Sequence, residues 1–169
     1  MIKPLMTVPG LDLPLVGGGR FSLSAETPAA FTMIVAYRGL HCPICKSYLR
    51  DLNGKVGEFD GLGVSVVAVT SDGAEKAEKA KLDWSLDKLR LAYDLPIELG
   101  RKWGLFVSRG ISDKEPSEFV EPGLFLVRPD RTLYAASIQT MPFARPSFAE
   151  ILVALQFVTK NGYPARGEA

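Results

Sequence analysis

Two hydrophobic periods run through this chain. Phe31-Thr32-Met33-Ile34-Val35-Ala36-Tyr37 and Val64-Ser65-Val66-Val67-Ala68-Val69 are near-continuous apolar runs rich in β-formers. Runs of this kind, unlike alternating ones, are expected of strands covered on both faces in a parallel sheet. Between them Cys45, Leu49, Leu52, Val56 and Phe59 recur at steps of three or four, which predicts a helix over about 43–59. Strand, helix and strand at this spacing form a βαβ unit whose crossover should be right-handed.

The pattern before and after that unit is shorter-ranged. Residues 4–28 carry Pro4, Pro9, Pro14 and Pro28 and the turn-former Gly17-Gly18-Gly19, so a hairpin is expected with Phe21 and Leu23 turned inward. The glycines lack the spacing of a dinucleotide fingerprint and read as a turn. Thr70-Ser71-Asp72 offers capping side chains for a helix from Ala74 to Leu82, on which Glu75 and Lys79 make an i,i+4 pair. Leu89, Leu91 and Tyr93 alternate with Lys88, Arg90 and Ala92, predicting a strand over 88–93 with one wet face. A short helix opened by Asp94 and Pro96 follows and ends near Trp103, which reads as a core residue. The stretch 105–121 is irregular, and a connection this long suggests a border to the functional site. Residues 123–128 and 133–138 predict an antiparallel pair. The final helix is the best marked: Ser147 and Glu150 fit a capping box, Phe148, Ile151, Leu152 and Leu155 form the stripe, and Asn161-Gly162 ends it. The tail from Tyr163 reads as loosely held.

At 169 residues, 47% apolar and 23% charged, the chain fits one globular domain over 1–169. A net charge of +1 gives no broad electrostatic case for nucleic acid or an anionic membrane. No membrane-spanning window or secretory pattern stands out, so a cytoplasmic protein is expected.

The chemistry concentrates in Arg38-Gly39-Leu40-His41-Cys42-Pro43-Ile44-Cys45, which holds both cysteines. Cys42 falls where a buried strand becomes a helix, with Pro43 in the first turn, where its missing N–H costs nothing. The unpaired N–H groups and positive dipole end favour a thiolate there. The helical period puts Cys45 one turn further, facing the core, so Cys42 is expected to face solvent with its partner beneath. Other readings are a structural disulfide, a zinc site or inert thiols. A staple across about four residues would contribute roughly 2 kcal/mol, against about 3 for a 15-residue loop. Zinc usually needs four ligands, and the chain offers two cysteines and one adjacent histidine. A redox pair fits best, with no metal and no cofactor. In the cytosol such disulfides are commonly catalytic or sensing.

A βαβ unit followed by a ββα unit, with Cys-x-x-Cys opening the first helix, resembles the thioredoxin fold, an α/β architecture with a central mixed sheet flanked by helices. The N-terminal hairpin, Val66 to Asp72 and Leu99 to Leu105 resemble the peroxiredoxin-like (alkyl hydroperoxide reductase/thiol-specific antioxidant) branch. Tyr37 to Cys45, Pro142-Phe143-Ala144-Arg145-Pro146 and Tyr163 to Gly167 are similar to a subgroup with a Cys-Pro-x-Cys site. The resemblance implies a thiol-dependent antioxidant oxidoreductase. Cys42 would attack a peroxide or a disulfide, Cys45 would resolve the product, and an external thiol would reduce the pair. It also implies a cis-proline at Pro122, with the backbone beside Pro122 and Glu121 binding substrate, charge from His41 and Arg38, and a homodimer. Departures stand beside these matches. Val35 and Gly39 occupy the usual Pro and Thr positions of a peroxidatic site, Pro122 falls at about the position of the usual arginine, and Ala36 replaces the buried acid of thioredoxins. A general protein disulfide oxidoreductase and a non-catalytic thioredoxin-like module binding a partner near Pro122 are the alternative functions.

Overall fold

The computed structural model describes residues 2–169. In chain order it contains a hairpin of β1 (Asp12–Pro14) and β2 (Arg20–Ser22), a 3-10 turn at Leu23–Ala25, β3 (Phe31–Ala36), α1 (Pro43–Gly61) and β4 (Val64–Val69). There follow α2 (Ala74–Asp83), β5 (Arg90–Ala92), α3 (Ile97–Lys102), a ribbon of β6 (Val107–Arg109) and β7 (Glu118–Val120), β8 (Gly123–Val127), β9 (Leu133–Ile138) and α4 (Phe148–Asn161). The central sheet has the order β5-β4-β3-β8-β9. β3 pairs in parallel with β4, and β4 with β5, while β8 runs antiparallel to both β3 and β9. This is the mixed, helix-flanked sheet that the resemblance implies.

The continuous apolar runs are explained by what covers each face. Met33 and Val35 of β3, Val66 and Ala68 of β4 and Leu124 and Leu126 of β8 share one core with Leu49, Leu52 and Phe59 of α1 and Phe148, Leu152 and Leu155 of α4. The alternate residues Ile34, Ala36, Val67, Val69, Phe125 and Val127 share a second core with Phe21, Leu23 and Trp103. A two-sided sheet needs both sets, so alternation is lost from the sequence. The N-terminal segment covers the β5 edge and the start of β9. Val16 N–H donates to Leu91 C=O at 2.9 Å and Tyr93 N–H to Pro14 C=O at 3.1 Å on the β5 side, while Leu5 N–H donates to Leu133 C=O at 2.8 Å at the start of β9. The covered β5 edge cannot template pairing with another chain.

Several local expectations change. The strand predicted over 88–93 is only Arg90–Ala92. Lys79 pairs with Asp83 at 2.8 Å instead of with Glu75. α2 is capped by Gly73 without a side-chain bond, because Asp72 is turned toward the cysteine loop, where it accepts from Leu40 N–H at 2.8 Å. Residues 105–121 are not irregular throughout, since they fold into the β6–β7 ribbon. The tail is anchored in part: Ala165 is buried and Tyr134 donates its hydroxyl to Tyr163 C=O at 3.0 Å. α4 is capped by Ser147 and ended by Gly162 as its sequence predicts, although only the Ser147 half of the capping box forms. Ser147 Oγ accepts from Glu150 N–H at 3.4 Å, and Gly162 takes the left-handed conformation. Among the described residues, no helix is long and apolar enough to cross a membrane.

β8 allows no side chain at its first position. A methyl on Gly123 would run into Leu105 and lie 3.2 Å from the Phe125 ring. Gly123→Ala is expected to destabilise the chain by about 1–3 kcal/mol, read as a lower urea midpoint at unchanged slope. An unchanged midpoint would contradict this packing.

Candidate active site

β3 ends at Ala36, and Tyr37 extends its ladder by donating to Val69 C=O at 3.0 Å. The chain then turns at Gly39, whose φ of 140° strongly favours glycine. Cys42 N–H donates back to Gly39 C=O at 3.1 Å. Cys42 is the N-cap of α1, Pro43 follows in the first turn, and the Cys42 sulfur accepts from Cys45 N–H at 3.2 Å. The thiol thus takes the place usually held by a serine or aspartate oxygen at a helix start.

Both cysteines are free thiols and both are buried, at 2% exposure for Cys42 and 0% for Cys45. The expectation that Cys42 faces solvent is therefore corrected. Leu40 and Tyr48 pack against the same core as the two sulfurs, so the sulfurs lie inside although Pro43 and Ile44 between them are exposed. Exposure at this position follows from how the preceding loop folds, which helical periodicity does not encode.

The electrostatics separate the two thiols. The Cys45 thiol beside it brings Cys42 down to about 6, helped by the Cys45 N–H and by the charges of Arg145 and Arg38, while burial opposes them. Cys45 moves the opposite way: its thiol is held protonated by the interaction with Cys42 and by burial. Cys42 is thus the thiolate at neutral pH and Cys45 the thiol.

Arg145 is the residue that sequence reasoning missed. Tyr48, on α1 beyond Cys45, donates its hydroxyl to Pro146 C=O at 2.7 Å. That bond fixes the 142–146 segment over the site, with the Arg145 guanidinium 4.2 Å from the Tyr48 ring centre and Nη2 3.7 Å from Cys45 Sγ. The only signal in the sequence was the matching segment Pro142 to Pro146, which says nothing of where the arginine points. A narrow crevice beside it is lined by Tyr48, Pro122, Ser137, Gln139 and Arg145. Its free room of about 10 Å³ is roughly that of one water.

The remaining predicted residues are drawn together, though not in the predicted roles. Arg38 Nε lies 3.3 Å from Glu121 Oε2 and Nη2 lies 3.9 Å from Glu115 Oε1. The Arg38 guanidinium stacks 4.7 Å from the Phe119 ring centre. Glu121 also accepts from Ser108 Oγ at 2.6 Å. Arg38 is thus bound to the ribbon, and its charge still helps to lower Cys42. His41 packs 4.7 Å from the Phe119 ring, and its pKa is lowered by burial and then by Arg38. It is neutral at pH 7, and the expected positive charge at His41 is corrected. Pro122 is corrected as well, because no peptide bond among the described residues is cis. The backbone around it is already occupied. Glu121 N–H donates to Phe106 C=O at 2.8 Å, Val120 N–H to Ser71 Oγ at 3.3 Å, and Pro122 C=O accepts from Gln139 N–H at 2.9 Å. Phe106 before the ribbon, Ser71 after β4 and Gln139 after β9 thus take these three groups. No group of three or more His, Cys, Asp or Glu side chains among the described residues could hold a metal ion.

The order of these effects can be measured. Cys45→Ala and Arg145→Ala should each raise the pKa of Cys42 from about 6, with the larger rise for Cys45→Ala. A raised pKa leaves less thiolate at pH 7, so alkylation of Cys42 by iodoacetamide should slow and its pH midpoint should move upward. An unmoved midpoint in both variants would contradict the assignment.

Comparison with known proteins adds the family. The model of the AhpC/TSA family matches residues 6–136, most of the chain. No curated protein matches the chain by sequence. Peroxidoxin BcpB from Mycobacterium tuberculosis superposes with a TM-score of 0.74 at 20% identity, covering 94% of this chain and 98% of that one. AhpC of Enterococcus faecalis gives 0.76 at 17% identity over 98% and 99%. Reduced Prx3 from Vibrio vulnificus, solved in complex with hydrogen peroxide, gives 0.76 at 14% identity over 92% and 99%. These likenesses show the fold, and the family match shows the class of chemistry. The chain belongs to the AhpC/TSA family and is a thiol-dependent antioxidant oxidoreductase with a thioredoxin-like fold.

Proposed function

We propose that this protein reduces small hydroperoxides through a Cys42/Cys45 dithiol–disulfide cycle, with Cys42 as attacking thiolate and Cys45 as resolving thiol. The observation that carries the reading is the Cys42 sulfur at the N-cap of α1, held by the Cys45 N–H and lowered to about 6. The Cys42 thiolate attacks the terminal oxygen of the hydroperoxide. The O–O bond breaks, the sulfur is oxidised to a sulfenic acid, and the departing alkoxide takes a proton and leaves as alcohol. Cys45 then attacks the oxidised sulfur. Its proton leaves with the hydroxide as water, and the Cys42–Cys45 disulfide forms. Two equivalents of an external thiol reduce that bond and leave as their own disulfide.

Magnitudes limit what charge alone contributes. Lowering a thiol from about 8.5 to about 6 raises its thiolate fraction at pH 7 roughly thirtyfold. The fall in nucleophilicity takes back about thirteenfold at a Brønsted slope near 0.45, for a net gain of only about twofold. The larger effect falls on reduction of the disulfide, where a low-pKa Cys42 is the better leaving group. Rapid attack on peroxide must come from positioning, for which Arg145, whose charge acts on Cys42, is the available part.

A small substrate is favoured over a protein disulfide by the bonds around Pro122. Val120 N–H, Glu121 N–H and Pro122 C=O are already paired and so are not open to an extended peptide. Cys42, at 2% exposure, is likewise out of reach of a bulky disulfide without local opening.

Turnover tests this reading. The wild-type chain with a thiol donor should consume hydrogen peroxide or an organic hydroperoxide catalytically. Cys42→Ser should reduce the rate to that of the donor alone, and Cys45→Ser should stop multiple turnover unless the donor resolves Cys42 itself. Reduction of a protein disulfide without peroxide consumption would favour the other oxidoreductase reading.

A further inference from the structure

Buried polar atoms without a hydrogen-bond partner lie near the cysteine loop on Tyr37, His41, Asp72 and Arg145. Asp72 is one of those that the cycle above does not use. It is 3% exposed, and its Oδ1 has no hydrogen-bond partner. A buried carboxylate left half satisfied costs free energy, so its placement calls for a reason.

The geometry around it supplies one. Asp72 lies just beyond β4, where its N–H donates to Thr70 Oγ1 at 3.1 Å and its C=O accepts from Asp94 N–H at 2.9 Å. Its backbone is therefore fixed from two sides. Oδ2 accepts from Leu40 N–H at 2.8 Å. The carboxylate also fills the space a side chain at residue 39 would need, lying 2.6–2.9 Å from where a Gly39 methyl would be. One residue later the chain closes on itself, because Gly39 C=O accepts from Cys42 N–H at 3.1 Å. Two consecutive bonds therefore connect the end of β4 to the reactive residue. They run from Asp72 to Leu40, and from Gly39 to Cys42.

We propose that Asp72 is a positioning residue for the reactive loop, holding Gly39 and Leu40 in the conformation that seats the Cys42 sulfur at the mouth of α1. The proposal rests on the reading of Cys42 as the attacking thiolate. It adds a second reason, beside the φ of 140°, why residue 39 carries no side chain, since the space is taken by the carboxylate of a neighbouring strand end. Asp72 does not touch the reacting atoms and acts only through the loop.

The test is the rate of Cys42 alkylation by iodoacetamide, located by mass spectrometry in the full-length chain, with folding checked by circular dichroism. Asp72→Ala should slow Cys42 roughly tenfold to a hundredfold, as expected for loss of a charged hydrogen bond and a displaced group. Asp72→Asn, whose amide oxygen can still accept from Leu40, should restore most of that rate. Gly39→Ala should slow the reaction too, by driving a methyl onto the carboxylate. In the double variant Asp72→Ala/Gly39→Ala the two losses should be clearly less than multiplicative, since they break the same support. Wild-type reactivity in Asp72→Ala would overturn the proposal, as would an Asp72→Asn protein as slow as Asp72→Ala, or fully multiplicative losses. Should Asp72→Ala not fold, Asp72→Ser, whose hydroxyl is too short to reach Leu40 N–H, takes its place beside Asp72→Asn: a slow serine variant with a near-normal asparagine variant supports the positioning role, and near-normal rates in both overturn it. A wild-type chain alkylated at neither cysteine would instead sink the reading of Cys42 as thiolate, and this proposal with it.

Discussion

The first turn of a helix leaves N–H groups with no partner inside the helix. In this protein one of them, on Cys45, is answered by a sulfur, and the rest of the site follows from that contact. A buried strand has to end, cross a tight glycine turn and start a helix within six residues, from Ala36 to Pro43. Whatever side chain stands at the junction becomes the acceptor for the open end of the helix. Cysteine there is drawn toward its anionic form by the N–H, by the Cys45 thiol and by the charge of Arg145.

Keeping an anion buried in this way is expensive, and the surroundings carry the cost. Polar groups that most proteins pair are left open near the sulfurs, on Tyr37, His41, Asp72 and Arg145. Elsewhere the molecule is conventional, with two apolar cores on the two faces of the sheet and the N-terminal segment along the β5 edge and the start of β9. Local unsatisfied groups supported by a well-packed scaffold are what a site that must bind and react requires. The ribbon shapes the same site from outside. It binds Arg38 through Glu121 and Glu115, while Phe106, Ser71 and Gln139 take backbone groups beside Pro122, which leaves less backbone open to an extended substrate.

How far the sequence carried can be seen residue by residue. The βαβ unit, the antiparallel pair and the ends of α4 were legible because long apolar runs, helical steps and the Ser147 and Gly162 caps act locally. The position of Cys42 before Pro43 was legible for the same reason. Its burial was not, since that depends on how Leu40 and Tyr48 fold over it. Arg145 lies a hundred residues from Cys45, and its approach depends on the bond from Tyr48 to Pro146. Asp72 has the composition of a helix cap and was read as one, yet its carboxylate is used by a loop 32 residues away. The charge on His41 and the peptide geometry at Pro122 were inferred from resemblance, and the packing of this chain overrode both. Local signals survive in a sequence, whereas contacts across the fold do not announce themselves.

The most direct check on the division of labour between the sulfurs is mass spectrometry after a single equivalent of hydrogen peroxide. The wild-type chain should lose two hydrogens and yield a peptide linking Cys42 to Cys45. In Cys45→Ser the oxidised species should instead be a sulfenic acid on Cys42, trapped by a dicarbonyl reagent. Oxidation appearing first on Cys45, or a wild-type chain left unmodified by peroxide, would contradict the account.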